Sequence, residues 1–83
     1  SAGAVGISNT ASGNNAQAFG YLNEAKAQDS QAFGAQNKAT ERYASAFGHE
    51  NEAKAYAGSA LGVKNIVTGN FASAVGYENT AAN

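Results

Sequence analysis

Cysteine and proline are both missing from these 83 residues, and charge is sparse. Without cysteine, no disulfide can staple the fold. One histidine and one aspartate leave little from which to build a metal site. Five Lys and Arg stand against six Asp and Glu, with no basic run. That excludes the clustered cations which a nucleic-acid partner requires. No stretch is apolar enough to cross a bilayer as a helix, so no membrane contact is expected of this segment. Large apolar residues are few as well: the hydrophobic content is mainly Ala, joined by four Phe, four Tyr and a few Val, Leu and Ile. Ala methyls bury little area, so a conventional core would be thin in so short a chain. Stability must come from repetition or from oligomerisation. Richness in Gly, Ala, Asn and Ser would by itself read as disorder, but the lack of proline and the order of the residues say otherwise.

That order is a repeat. Gly6, Gly20, Gly34, Gly48, Gly62 and Gly76 fall 14 residues apart without an insertion, each preceded by Ala and one larger apolar residue. Three residues after each glycine stands Asn: Asn9, Asn23, Asn37, Asn51, Asn65 and Asn79. Two further on come Ala11, Ala25, Ala39, Ala53, Val67 and Ala81. The chain, residues 1–83, reads as a single array. Neither end carries the capping sequence that solenoids need, so it is expected to be a fragment of a longer surface protein.

A period of 14 residues is too short for two helices and a turn, but it fits two strands of about five residues, each followed by a tight turn. Alternation then assigns the faces. Ala44, Ala46 and Gly48 share an inner face, while Ser45, Phe47 and His49 share the outer one. On the second strand Asn51, Ala53 and Ala55 point in, and Glu52, Lys54 and Tyr56 point out. Facing Ala and Gly surfaces make a flat coil. Successive coils would stack about 4.8 Å apart, where like charges repel and opposite charges help. The column Thr10, Glu24, Lys38, Glu52, Ile66, Thr80 and the column Ser8, Leu22, Gln36, Glu50, Lys64, Glu78 place opposite charges side by side and never like charges. The Asn column reads as a hydrogen-bonded ladder at a turn. The repeat glycines read as positions with positive φ or no room for a Cβ. Two residues fit poorly: Glu41, in a column otherwise of Gly, Ala and Asn that is expected at a turn mouth, and Ile66, on the charged outer face.

The outer face of the strand before each glycine carries Val5 and Ile7, Phe19 and Tyr21, Phe33 and Ala35, Phe47 and His49, Leu61 and Val63, Val75 and Tyr77. In a lone coil this stripe would be exposed along the whole rod, and contiguous apolar patches of that kind mark interfaces. Burying each Phe or Leu would contribute roughly 1.5–3 kcal/mol, more than the Ala-lined interior can supply per residue. An obligate oligomer is expected, its copy number not written in the periodicity.

The repeat resembles the heads of trimeric autotransporter adhesins, the YadA-like family. The resemblance is carried by units such as Gly58-Ser59-Ala60-Leu61-Gly62 followed by Asn65, Val67 and Gly69, in phase through the chain. Phe19, Phe33 and Phe47 are bulkier than the Ile or Val usual there. The resemblance implies an all-β, left-handed parallel β-roll solenoid, a homotrimer with the apolar stripe as its interface, and display on the bacterial cell surface. It also implies outer-membrane anchoring through a C-terminal part, and binding to a host extracellular-matrix protein or cell-surface receptor. The absence of cysteine suits passage across the outer membrane as an unfolded chain.

Other functions find little in the sequence. Catalysis needs converging groups, whereas His49 and Asp29 stand on different repeats and different columns, so no enzyme and no cofactor are expected. The GGxGxD pattern of calcium-binding β-rolls is absent. A flat ice-binding face would need a Thr column, but Thr10, Thr40, Thr68 and Thr80 are scattered among charges. A structural spacer that presents a distal binding tip is the alternative to an adhesive head segment. If the rod itself binds, the candidate is the corner eight and nine residues after the glycine, where Arg42, Tyr43, Tyr56 and Phe71 gather on three successive coils. Packing of this corner against a neighbouring chain is the competing explanation.

Overall fold

The computed structural model describes residues 2–82, and it is a parallel β-solenoid. Long and short strands alternate: β1 (Gly3–Ile7), β2 (Thr10–Ala11), β3 (Gln17–Tyr21), β4 (Glu24–Ala25), β5 (Gln31–Ala35) and β6 (Lys38–Ala39). The order continues through β7 (Ser45–His49), β8 (Glu52–Ala53), β9 (Ser59–Val63), β10 (Ile66–Val67), β11 (Ser73–Tyr77) and β12 (Thr80–Ala81). The odd-numbered strands form one parallel sheet in chain order, and the even-numbered strands form the other. Every pairing joins residues 14 apart, such as Ala18 with Ala32, Phe19 with Phe33 and Glu24 with Lys38. The in-register stacking expected from the columns is therefore the fold itself.

The apolar interior consists of alanine and one valine, Val67. Ala18, Ala32, Ala46 and Ala60 from the long sheet face Ala25, Ala39, Ala53 and Val67 from the short one, all fully buried. Small side chains let the two sheets close to a body of only 30 × 20 × 10 Å. Val67 is the single larger residue in its column, and it is housed by Gly58, the single glycine in its own. A Cβ on Gly58 would lie 2.7 Å from Val67 Cγ1, so the two departures from alanine compensate each other.

Two expectations need correction. The second strand is two residues long, not about five, since the chain bends on both sides of the paired segment. Its inward and outward alternation nevertheless continues past the ladder: Asn51, Ala53 and Ala55 are buried, while Lys54 and Tyr56 are exposed. The repeat glycines do not line the interior with the alanines; Gly48, for example, is exposed. Its φ of 127° reverses the sense of the extended backbone, so simple parity fails there. A Cβ would strike the carbonyl oxygen of Gly62 on the next coil and approach Asn51 Nδ2 to 2.9 Å. Positive φ and lack of space hold together at this position. Glu41 is exposed at a turn, in keeping with a column at the turn mouth.

Candidate functional site

Each coil has two turns, and they are built differently. At the first, after each long strand, the Asn column forms a continuous ladder. The Asn37 side chain is fully buried; its amide donates to Phe33 O at 2.8 Å and to Gly48 O of the next coil at 2.9 Å. Its Oδ1 accepts from the backbone N–H of Asn51 at 3.1 Å. Asn23, Asn51 and Asn65 repeat these contacts, and among the described residues no buried side-chain polar atom lacks a partner. All hydrogen-bonding capacity in this column serves the stack. The residue before each Asn (Ser8, Leu22, Gln36, Glu50, Lys64 or Glu78) adopts left-handed φ of 55–57°.

Beside this turn runs a shallow surface groove of about 520 Å³, lined by Leu22, Glu24, Gln36, Lys38, Glu50, Glu52, Lys64 and Ile66. Ile66, out of place on a charged face in the sequence, is half-buried at this groove. The cross-coil register of Glu24, Lys38 and Glu52 is as expected. The ion pairs close differently, within a coil: Lys26 Nζ lies 3.4 Å from Glu24 and Lys54 Nζ lies 3.0 Å from Glu52. The alternation of faces continues past each two-residue strand, so Lys26 and Lys54 share the outer face with Glu24 and Glu52 and reach their own coil's carboxylate.

The outer face of the long sheet carries the apolar stripe. Ile7, Val75 and Tyr77 are each more than 60% exposed in the single chain. Phe33 and Phe47 are half-buried because the Phe19, Phe33 and Phe47 rings stack on one another, with centroids 4.7 and 4.8 Å apart and planes within 7°. In-register pairing alone places like rings at stacking distance. His49 sits exposed on the stripe between Ala35 and Val63, with Nε2 3.5 Å from Glu50 Oε1.

At the second turn the structure brings the predicted corner together. Tyr43 and Tyr56 meet edge to face at 5.6 Å, Tyr56 and Phe71 at 5.4 Å, and the Arg42 guanidinium stands 5.4 Å from the Tyr43 ring centre. Such contacts order the rings while leaving their outer surfaces in water. Asn70 joins the cluster, its Oδ1 accepting from the Tyr56 backbone N–H at 3.2 Å. Sequence reasoning missed Asn70, although its column, eight residues after the glycine, is the one that holds Arg42 and Tyr56. The backbone here is closed upon itself: Tyr43 N–H donates to Gln28 O, Ala57 N–H to Arg42 O and Phe71 N–H to Tyr56 O. Asp29, on the same corner, lies beside Gln28, whose side chain donates to it; among the described residues no three potential metal ligands converge.

No curated protein and no solved structure matches the chain significantly. The family model of the YadA head domain repeat matches residues 4–23, 25–51 and 53–79, which is most of the sequence. With its coils of 14 residues in register and its glycine and asparagine columns accounted for, the chain belongs to the YadA head domain repeat family.

Proposed function

We propose that the chain is a segment of the head of a trimeric, non-enzymatic surface adhesin, a left-handed roll carried on a bacterial outer-membrane anchor, which attaches to host matrix proteins or cell receptors. The observation that carries this reading is the exposed apolar stripe on a solenoid of the YadA head family. A single coil stack this thin buries little apolar surface beyond alanine and leaves Val, Ile, Leu, Tyr and Phe in water along its length. Docking that stripe against two further copies removes it from solvent, each large side chain contributing about 1.5–3 kcal/mol. Val5, Ile7, Phe19, Tyr21, Phe33, Phe47, His49, Leu61, Val63, Val75 and Tyr77 then form the subunit contacts. The Arg42, Tyr43, Tyr56 and Phe71 corner stays outside as the adhesive surface, since binding energy concentrates in a few aromatic and Arg residues. Three equivalent edges give avidity to weak single sites.

Sedimentation equilibrium at micromolar concentration is expected to return three times the chain mass. Phe33→Asp with Phe47→Asp should abolish assembly, because carboxylates would meet in a desolvated interface. Lys26→Ala with Thr40→Ala should leave it intact. A folded monomer, or equal damage from the two pairs, would sink the interface. Binding to surfaces coated with collagen, fibronectin or laminin tests the adhesive half; a native trimer that binds none of them favours a spacer.

A further inference from the structure

Two of the corner aromatics stand where the backbone disfavours them. Tyr43 and Phe71 have φ of 61° and 62°, a left-handed conformation in which bulky side chains are rare. The same column otherwise holds Asn15 and Asp29, types that adopt this conformation readily, and the small Ala57. The rings gain little burial in exchange, with Tyr43 43% and Phe71 73% exposed. The turn does not call for rings, and their edge-to-face contacts with Tyr56 leave much of their surface in water, so large aromatics kept exposed on this backbone point to use.

The polar groups beside the rings narrow that use. Arg42 takes part in no ion pair among the described residues, so its guanidinium N–H groups face the ring cluster's surroundings without a carboxylate partner. Asn70 is fixed by its oxygen, which leaves its NH₂ as a donor beside Tyr56. At the corner the N–H groups of Tyr43, Ala57 and Phe71 and the carbonyls of Gln28, Arg42 and Tyr56 are already paired coil to coil, so an added peptide strand meets no continuous row of open groups. The groove of Leu22, Gln36 and Ile66 lies at the opposite turn and none of the corner residues lines it, so a polyproline segment has no trough there beside the rings. A sugar requires neither. One face of a pyranose ring presents C–H hydrogens that are attracted to the negative face of an aromatic ring, and its hydroxyl oxygens accept from fixed N–H donors.

We propose that this corner binds carbohydrate, with pyranose faces stacked on Tyr43 and Phe71 and with Arg42 and Asn70 donating to hydroxyl oxygens. The proposal rests on the adhesive reading above and names the chemistry of its ligand.

The test uses immobilised mucin, intact or enzymatically deglycosylated. The variant carries Tyr43→Asn and Phe71→Asn, which restore the residue type that this backbone accepts, so folding is not at risk. Deglycosylation should lower binding of the native trimer at least tenfold. The variant, with the mass of the native assembly, should bind intact mucin at that same low level. Equal binding to the stripped protein would mean that the corner reads polypeptide and would overturn the carbohydrate assignment while leaving adhesion standing. No binding to mucin by a trimer that still binds a matrix protein would overturn it equally. A variant that no longer assembles would place the corner in a subunit contact and remove it as a ligand site.

Discussion

The two turns of each coil face the same mechanical problem and solve it by opposite means. Both reverse the chain through one left-handed residue, Gln36 at the first and Tyr43 at the second, for example, and both pair their backbone coil to coil. At the first turn a buried Asn bonds two carbonyls and one N–H, so any other side chain would leave several groups unpartnered. That turn repeats without exception. At the second turn a backbone bond such as Ala44 N–H to Glu41 O closes the reversal, and the side-chain contacts differ from coil to coil: Ser30 Oγ donates to Ala27 O in one, and Asn70 Oδ1 accepts from Tyr56 N–H in another. The side chains at its apex vary among Asn, Gln, Asp, Arg, Tyr, Ala and Phe. Where one side chain holds every coil it cannot vary; where the contacts change from coil to coil, the side chains vary with them.

The largest expected effect breaks the first turn. Asn37→Ala removes the donors to Phe33 O and Gly48 O, both in part-buried bonds, and the buried acceptor for Asn51 N–H. At about 1–3 kcal/mol for each unsatisfied group, the loss should be at least ~3 kcal/mol, read as a large drop in the thermal or denaturant midpoint. Arg42→Ala, at the second turn, should change the midpoint by no more than ~0.5 kcal/mol in equivalent terms. Similar losses from both would refute the division of labour between the turns.

The next effect probes the interior that both turns enclose. Gly58→Ala sets a methyl 2.7 Å from Val67 Cγ1 and should destabilise by about 1–3 kcal/mol. Adding Val67→Ala removes the obstruction and rebuilds the Ala pairing of neighbouring coils. The double variant should therefore be more stable than Gly58→Ala alone, with a coupling above ~0.5 kcal/mol in a double-mutant cycle. Strict additivity would mean that the two positions do not touch as described.

Much of this architecture was legible in the residues, because a strict repeat converts sequence columns directly into spatial neighbours. The Ala core, the Asn ladder, the constraint on the glycines and the gathering of Tyr43, Tyr56 and Phe71 all follow from the 14-residue register. What escaped has a common physical cause: parity arguments presume regular strands. Gly48 with φ of 127° breaks the alternation, so its inward assignment failed. The bends flanking Glu52–Ala53 keep the alternation of side chains without the ladder, so the short strand looked longer than it is. Gly58 and Val67 lie in different columns, and their compensation emerges only when the two sheets face each other. The intracoil ion pair of Lys26 with Glu24 competes with a cross-coil one of similar reach, a choice that register alone does not make.

The smallest effect sharpens the comparison at its common feature, the left-handed residue. At the first turn this position holds Gln36, exposed and with φ of 57°, although the neighbouring coils show that no particular side chain is needed there. Asn tolerates this backbone better than Gln, since its short amide can bond locally. Gln36→Asn should therefore stabilise by a few tenths of a kcal/mol, up to about 1 kcal/mol. Gln36→Gly should gain less or nothing, because glycine relieves the strain but adds freedom to the unfolded chain. Tyr43→Asn at the second turn should gain by the same mechanism, less whatever the edge-to-face contact with Tyr56 contributes, about 0.5–1.5 kcal/mol. Midpoints measured side by side would separate the two terms: a clear gain at residue 36 with little net change at residue 43. A loss at residue 36 would show that the left-handed backbone there costs Gln nothing, and the strain argued for the aromatic corner would lose its footing as well.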